Sequence, residues 1–547
     1  MTSYVLPVLA EPVTAALRTV YIVASGDLRE PANVTTWPTQ QQLEADISVA
    51  VTKRGFTAQR GEEVDAATGH GFLTSQRAGL ELFKTLPTDA PLIVVIAGWQ
   101  YSHHVLAGLR DHQGPILAVA NWSGQFPGLV GLLNLTGSMT KAGIKYSALW
   151  SKDFTDQWAL DSLKTWLETG ELVHDESHVR DLPALSDLPA SPEIELGKAL
   201  AVQLKTEKAI IGVFDEGCMG MYNAIIDDEL LNPLGIYKER LSQSALVAEM
   251  QTVPDAEAQA VRTWLNNAGM RFDTGTDELT ELTDAQLLSQ FKMYIAALRI
   301  SDDYGLDAVG IQYQQGLKNT VPASDLAEGL LNNVQRPPVF SRDGSRELFA
   351  GAALPHFNEV DEGVAVDSLA TNRIWTAMGL DPATTLHDVR WGEQFGDDFV
   401  WVFEISGSVP ASHNGGYDKS YSKRQPAMFF PLGGGTLSGV SRPGEIVWSR
   451  VFIMDGVLHV DLGRGRAVEL PEEETQRRLN ATDKNWPIMH VVLDGVSRDQ
   501  LMARHKANHA NVVYTPDAAT ADKALLVKAT MFAELGVQVH LAGDVNL

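Results

Sequence analysis

The residues best suited to chemistry gather in the last third of the chain. HFNEVDEGVAVDS (356–368) packs Glu359, Asp361, Glu362 and Asp367 in front of a helical pattern, and TTLHDVRWGEQFGDD (384–398) sets Asp388 between a histidine and an arginine. MARHKANHANVVYTP (502–516) adds His505 and His509, flanked by Arg504 and Lys506. Two carboxylates and an imidazole drawn from separate elements make a ligand set for a hard or borderline divalent ion such as Mn(II) or Mg(II). A thiolate site is excluded, because Cys218 is the one cysteine. His505 and His509 stand at i, i+4 without the glutamate of a zincin helix, and no G-x-S-x-G elbow is present. Each of these residues also has a plain structural reading. Acids at a helix start answer its dipole and its unpaired N–H groups, and an isolated histidine is more often hydrogen-bonded than a ligand. Trp99, Trp122, Trp391 and Trp486 sit near glycines or prolines at segment ends, where tryptophan packs in a core or stacks on a sugar face.

The elements that must position these residues fall into three stretches. In the first, TVYIVA (19–24), PLIVVIAG (91–98) and GPILAVAN (114–121) read as buried parallel strands. They alternate with amphipathic segments such as 38–55, with Thr39 as cap and Gly55 as stop. A polar, proline-bearing linker (173–195) follows. A second cycle opens with a strand, a glycine turn and a helix start (208–226) and continues through a long helix (282–306) and a strand (307–316). From about residue 356, strand patterns come without helices, which reads as an antiparallel barrel or sandwich closed by a helix at 520–535 and ended by Gly536. The expectation is an α/β protein of two Rossmann-like α/β/α domains, 1–174 and 175–355, and a mostly antiparallel β-barrel-like domain, 356–547, carrying the site.

Several classes are set aside. With 69 acidic against 43 basic residues the net charge is −26, which repels phosphate backbones and argues against nucleic acid. No stretch is apolar enough to span a bilayer, the first residues lack a signal-peptide pattern, and a lone cysteine suits a reducing compartment, so a cytoplasmic protein is expected. Gly217 and Gly220 do not make a G-x-G-x-x-G or Walker pattern, so no organic cofactor is expected.

SRVFIMDGVLHVDLGRGRAVELPEEETQRRLNATDKNWPIMHVVL (449–493) and MARHKANHANVV (502–513) carry, in order, an Arg-Val strand, a V-E-L-P turn, an N-x-x-W-P turn and an M-A-x-x-x-A-N-H segment. Upstream, LHDVRW, EISGSVPASHNGG, GCMGMY, GIQYQQG, AGWQYS and NWSGQFPGLVGLLNL are similar to an A-D-V-R, an N-S-G-S-A, an S-M-G-I, a G-F-Q-G-Q, a C-W-C-Y-G and a G-F-N-G-T-E-R-P-G-A-V-Y-L segment. In these motifs the chain resembles L-fucose isomerase, of the L-fucose/L-arabinose isomerase group. The resemblance implies two α/β/α domains and a β-barrel-like domain. It also implies a Mn(II) site, with Mg(II) or Co(II) as other ions, held by Glu359, Asp388 and His509. Glu359 and Asp388 would also be the catalytic proton carriers. Asp361 or Glu362 is the alternative ligand, because the spacing to Gly363 is shorter than in the family. Gln314, Trp486 and Asn508 would lie near a small sugar substrate, and Trp99 would reach a neighbouring subunit's site in a homohexamer.

The reaction implied is aldose–ketose interconversion through an enediol, on L-fucose or a related sugar. The departures lie on the substrate side. Arg504, His505 and Lys506 replace Asn, Trp and Gly, and Thr436 replaces an aromatic residue. They suggest an acidic or phosphorylated sugar paired by Arg504 or Lys506. Two other readings stand beside this one: a metal-dependent sugar-acid epimerase or decarboxylase on the same scaffold, and a cytosolic sugar-binding or regulatory protein.

Overall fold

A computed structural model describes residues 7, 11 and 13–545. The first stretch forms a five-stranded, all-parallel sheet of β1 (Thr19–Val23), β2 (Thr57–Arg60), β3 (Leu92–Ile96), β4 (Ile116–Asn121) and β5 (Ser147–Ser151), in the order β2-β1-β3-β4-β5. Strands β1, β3 and β5 are buried along their whole length, as runs such as LIVVI require when helices cover both faces of a sheet. The helix after β1 runs Glu30–Thr52, so it starts nine residues before the expected cap at Thr39. Pro31 in its first turn sets the entry, because a proline there loses no intrahelical hydrogen bond. Gly55 lies just past its end at φ 78°.

The linker supplies β6 (Val179–Asp181). The second sheet is parallel, from β7 (Ala209–Phe214), β8 (Ile236–Leu241) and β10 (Ala308–Ile311) in the order β10-β7-β8, while β9 (Arg271–Phe272) lies apart from it. The helix start expected within 208–226 is replaced by two short 3-10 turns, Cys218–Gly220 and Tyr222–Ala224. The expected long helix spans Asp284–Tyr304, opened by a Thr283/Gln286 capping box and closed by Gly305 at φ 62°.

In the third stretch six antiparallel strands close into a barrel. They are β11 (Thr384–Phe395), β12 (Asp398–Glu404), β14 (Gly444–Met454), β15 (Val457–Ala467), β16 (Ile488–Leu493) and β17 (His509–Thr515), in the order β14-β17-β11-β12-β16-β15, with β14 pairing back onto β15. The short β13 (Tyr421–Ser422) pairs with β9. A final strand, β18 (Gln538–Ala542), adds parallel to β15, and β6 pairs onto β18, so the linker contributes a strand to the third sheet. Helix Ala518–Leu535, capped by Asp517 and stopped by Gly536, packs on the barrel and on helix Pro192–Glu207.

The first stretch docks against the barrel of the same chain. Leu129, Leu132 and Trp150 share one apolar core with Trp401, Met489 and Met502. Trp122 Nε1 donates to Gly392 O at 2.8 Å, and Arg390 Nε to Gly124 O at 2.9 Å. At Gly137 the backbone of Lys506 passes so close that a Cβ would stand 2.2 Å from its carbonyl oxygen. Among the described residues no helix is long and apolar enough to cross a membrane.

Candidate functional site

Asp388 and His509 are Cα partners on the adjacent antiparallel strands β11 and β17. Directly opposed residues project to the same face of a sheet, and His509 Nε2 stands 3.3 Å from Asp388 Oδ1. Glu359 arrives from a 3-10 turn, Asn358–Val360, just ahead of helix Glu362–Ala377, and its Oε2 lies 3.6 Å from the same nitrogen. Three elements distant in sequence thus converge on one imidazole edge.

The other edge of His509 is anchored. Its Nδ1 bonds Asp361 Oδ2 at 2.8 Å, and Arg450 Nη1 donates to the same oxygen at 2.6 Å. Asp361 Oδ1 accepts from Val364 N, capping the helix, so one carboxylate fixes both the helix start and the ring. Burial works against the Asp361 carboxylate, but Arg450 and His509 hold it well below the usual range. Burial also pulls the His509 imidazole down, and its contacts with Asp361 and Asp388 outweigh this and hold it at about 10. Burial pushes the Glu359 carboxyl up to about 7, with His509 opposing and Asp388 adding.

His509 Nε2 is buried and has no hydrogen-bond partner, although two carboxylates face it. Two donors bound to one divalent ion at ~2.1 Å stand roughly 3.0–3.4 Å apart, close to these spacings. An imidazole whose second nitrogen is fixed by a carboxylate is the usual arrangement around a bound ion. By type, the two carboxylates of Glu359 and Asp388 and the imidazole of His509 are donors that a hard or borderline divalent ion accepts. Among the described residues, no group of three or more His, Cys, Asp or Glu side chains is placed so that it could hold a metal ion. The trio is a convergence of pairs about His509.

Glu359 and Asp388 open onto a cavity of about 30 Å³, walled by Arg29, Trp99, Met219, Gln314, Phe429 and Trp486 among others. Arg29 Nε and Nη2 donate to Asp27 at 2.9 and 2.6 Å, and Nη1 donates to Gln314 Oε1 at 3.0 Å. Phe429 stacks on Trp486, whose Nε1 donates to Gln425 at 2.7 Å. A larger cleft of about 650 Å³, lined by Asn333, Asn372, Asp381 and Tyr417, lies elsewhere and brings no acid–base pair together.

Trp99, Gln314, Trp486, Glu359 and Asp388 therefore share one wall, and His509 stands behind it. Trp99, in the loop after β3, lines a cavity of its own chain together with Glu359 and Asp388. Glu362 accepts from Ile226 N and pairs with Lys238, while Asp361 grips His509, so neither competes with Glu359 as a cavity-facing donor. Arg504 points away from the cavity, donating twice to Asp461 (2.9 and 2.8 Å), and Lys506 bonds Ala503 O and approaches Glu176. Asn508 is buried against Asp388 rather than lining the cavity. His505 bonds the carbonyl of His509 and is no ligand. Thr436 is buried on Ser438 and Lys423, and the aromatic wall comes from Phe429 and Phe430 instead. Arg29 was missed. Its signal is its position just after β1, at the carboxyl edge of a parallel sheet where ligands bind.

No protein-family model matches the chain and no curated protein matches it, so the likeness to L-fucose isomerase rests on the quoted motifs alone.

Proposed function

We propose that the chain is a divalent-metal-dependent aldose–ketose isomerase, with Mn(II) the first ion to test, acting on a neutral, L-fucose-like sugar in its open-chain form. The observation that carries this reading is the convergence of Glu359 and Asp388 on His509 Nε2, which makes no hydrogen bond, at the wall of an aromatic-lined cavity. The two parallel sheets are read, in the same spirit, as Rossmann-like α/β/α layers that bring Arg29, Trp99 and Gln314 to the barrel.

A divalent ion held there would supply positive charge beside the developing enediolate and acidify the C–H bond next to the carbonyl. The chain's own groups do the rest. One of the carboxylates Glu359 and Asp388 takes the proton from C2 of the aldose and returns it to C1, while the other carries the hydroxyl proton between the two oxygens. The cavity of about 30 Å³ must widen to admit a sugar, whose C–H edge the flat apolar faces of Phe429 and Trp486 would then meet. Arg29, neutralised by Asp27, offers N–H donors without net positive charge, which favours hydroxyl oxygens over a carboxylate or phosphate.

The test is an aldose panel incubated with the purified chain and Mn(II) in deuterated water, followed by NMR. Ketose formation with label at one carbon supports the reading. Loss of CO2 or inversion without ketose moves the chain to the epimerase or decarboxylase class. No turnover, with sugar binding retained, favours a binding protein.

A further inference from the structure

Glu359 is held in a backbone conformation that it would not choose. Its φ is 59° and that of the next residue, Val360, is 54°. Two successive non-glycine residues in the left-handed region are rare, and a β-branched valine there is a true outlier. Such strain persists only where the surroundings over-determine it, and it concentrates at functional sites. Here the surroundings are a compact set of polar groups. Asn358 Oδ1 accepts from Glu359 N at 3.0 Å. Asn358 Nδ2 donates to Ser406 Oγ and Ser408 Oγ at 3.0 Å each, and lies 3.3 Å from Asp325 Oδ1. Ser406 Oγ donates to Asp325 Oδ1 at 2.8 Å and stands 3.4 Å from Glu359 Oε1. Asn358, Ser406, Ser408 and Asp325 are all buried.

We propose that Asp325, acting through Asn358 and Ser406, is a positioning residue that keeps Glu359 in this left-handed turn with its carboxylate aimed at His509 and Asp388. Asp325 comes from helix Asp325–Leu331, outside the barrel, and Ser406 follows β12, so the frame ties three elements to one side chain. Asp325 Oδ1 fixes Ser406 Oγ, which in turn accepts from Asn358 Nδ2, and the orientation this gives the amide leaves Asn358 Oδ1 facing the Glu359 N–H. A helix cap or a core contact would need no such convergence on a strained residue. The inference rests on the metal reading of the site, and its test separates the two.

The full-length chain is titrated with Mn2+ and free ion is followed by electron paramagnetic resonance. Separately, amide exchange of the peptide spanning 357–361 is measured in metal-free protein. Wild type should bind Mn2+ and Glu359→Gln should lose it. Asn358→Ala and Asp325→Ala should bind about 10–100-fold more weakly while folded, the range for residues that orient metal ligands. In both, the 357–361 peptide should exchange faster. Asp325→Asn, which keeps the acceptor oxygen, should bind close to wild type. Should either alanine variant not fold, Asn358→Asp serves in its place. It keeps the oxygen for Glu359 N–H but loses the donor to Asp325, and it should weaken binding in the same way. Wild-type affinity in folded Asn358→Ala and Asp325→Ala overturns the frame and leaves the site reading intact, as does an Asp325→Asn as weak as Asp325→Ala. A wild type that binds no Mn2+ overturns both.

Discussion

His509 and Asp361 are 148 residues apart in the chain and 2.8 Å apart in the fold, Nδ1 to Oδ2. The contact decides which nitrogen of His509 can act. Nδ1 is committed to a carboxylate that Arg450 also grips, so Nε2 alone faces Glu359 and Asp388. Asp361 is thus the group that turns a buried histidine into a directed donor.

On the proposed metal reading, replacing Asp361 by Asn should weaken divalent-ion binding about 10–100-fold, without removing Glu359, Asp388 or His509. Isothermal titration of the folded variant with Mn2+ checks this. Unchanged affinity would mean that the ring is held by packing alone. The melting temperature should fall as well, because Arg450 is left buried beside a neutral amide.

Arg504 lies outside the cavity, held by Asp461. It is largely buried, with its fork on Asp461 and its guanidinium over Phe452. Arg504→Ala should leave turnover of a neutral sugar unchanged and lower stability by roughly 3–5 kcal/mol, the cost of stranding a buried partner. Arg504→Met with Asp461→Leu should recover most of that loss. Thermal melts with a parallel rate assay test it, and a selective loss of acidic substrates in Arg504→Ala would return the residue to the site.

The convergence of Glu359, Asp388 and His509 was legible because they lie in strand- and turn-forming segments with strong local patterns. Asp388 and His509 sit in β-branched runs whose period fixes their face, and antiparallel register then brings them side by side. The stop glycines Gly55 and Gly536 were readable for a similar reason, since their requirement is local. What the sequence could not disclose was tertiary. Arg504 looks like a substrate ligand from its neighbours in sequence, yet Asp461 on β15 claims it. Asp361 and Glu362 stand two and three residues from Glu359 and match it in chemistry. Only the left-handed turn at 359–360 and the places of Arg450 and Lys238 separate their roles. Thr39 failed as a cap because Pro31 starts the helix earlier, with Pro38 tolerated inside it.

The position of Trp99 makes a sharp prediction about subunits. Trp99 and Asp388 wall the same cavity within one chain. Mixing inactive Trp99→Ala with inactive Asp388→Asn, under conditions that exchange subunits, should restore no activity. In a site shared between copies, some mixed interfaces would carry both intact residues and activity would return. Complementation above the level of either variant would show that the first stretch serves a neighbour.

Glu404 provides a test of the barrel's electrostatics next to Asp388, its Cα partner across β11 and β12. It is fully buried, with Oε1 accepting from Asp483 N and Oε2 without a hydrogen bond. Burial lifts its carboxyl to about 8, and Arg390 only partly offsets this. The sign follows from linkage. Between the unfolded value near 4.5 and the folded value near 8 the native state holds a proton that the unfolded chain releases, so stability falls as pH rises through that window. Glu404→Gln keeps the acceptor for Asp483 N and removes the titration. Its melting temperature should match wild type near pH 4.5 and exceed it increasingly up to pH 8, reaching an advantage on the order of a few kcal/mol. Melts in a pH series measure the gap. A gap that stays flat, or a variant less stable at pH 8, would mean that Glu404 is ionised and that its pairing with Arg390, at 3.5 Å, outweighs the cost of burial.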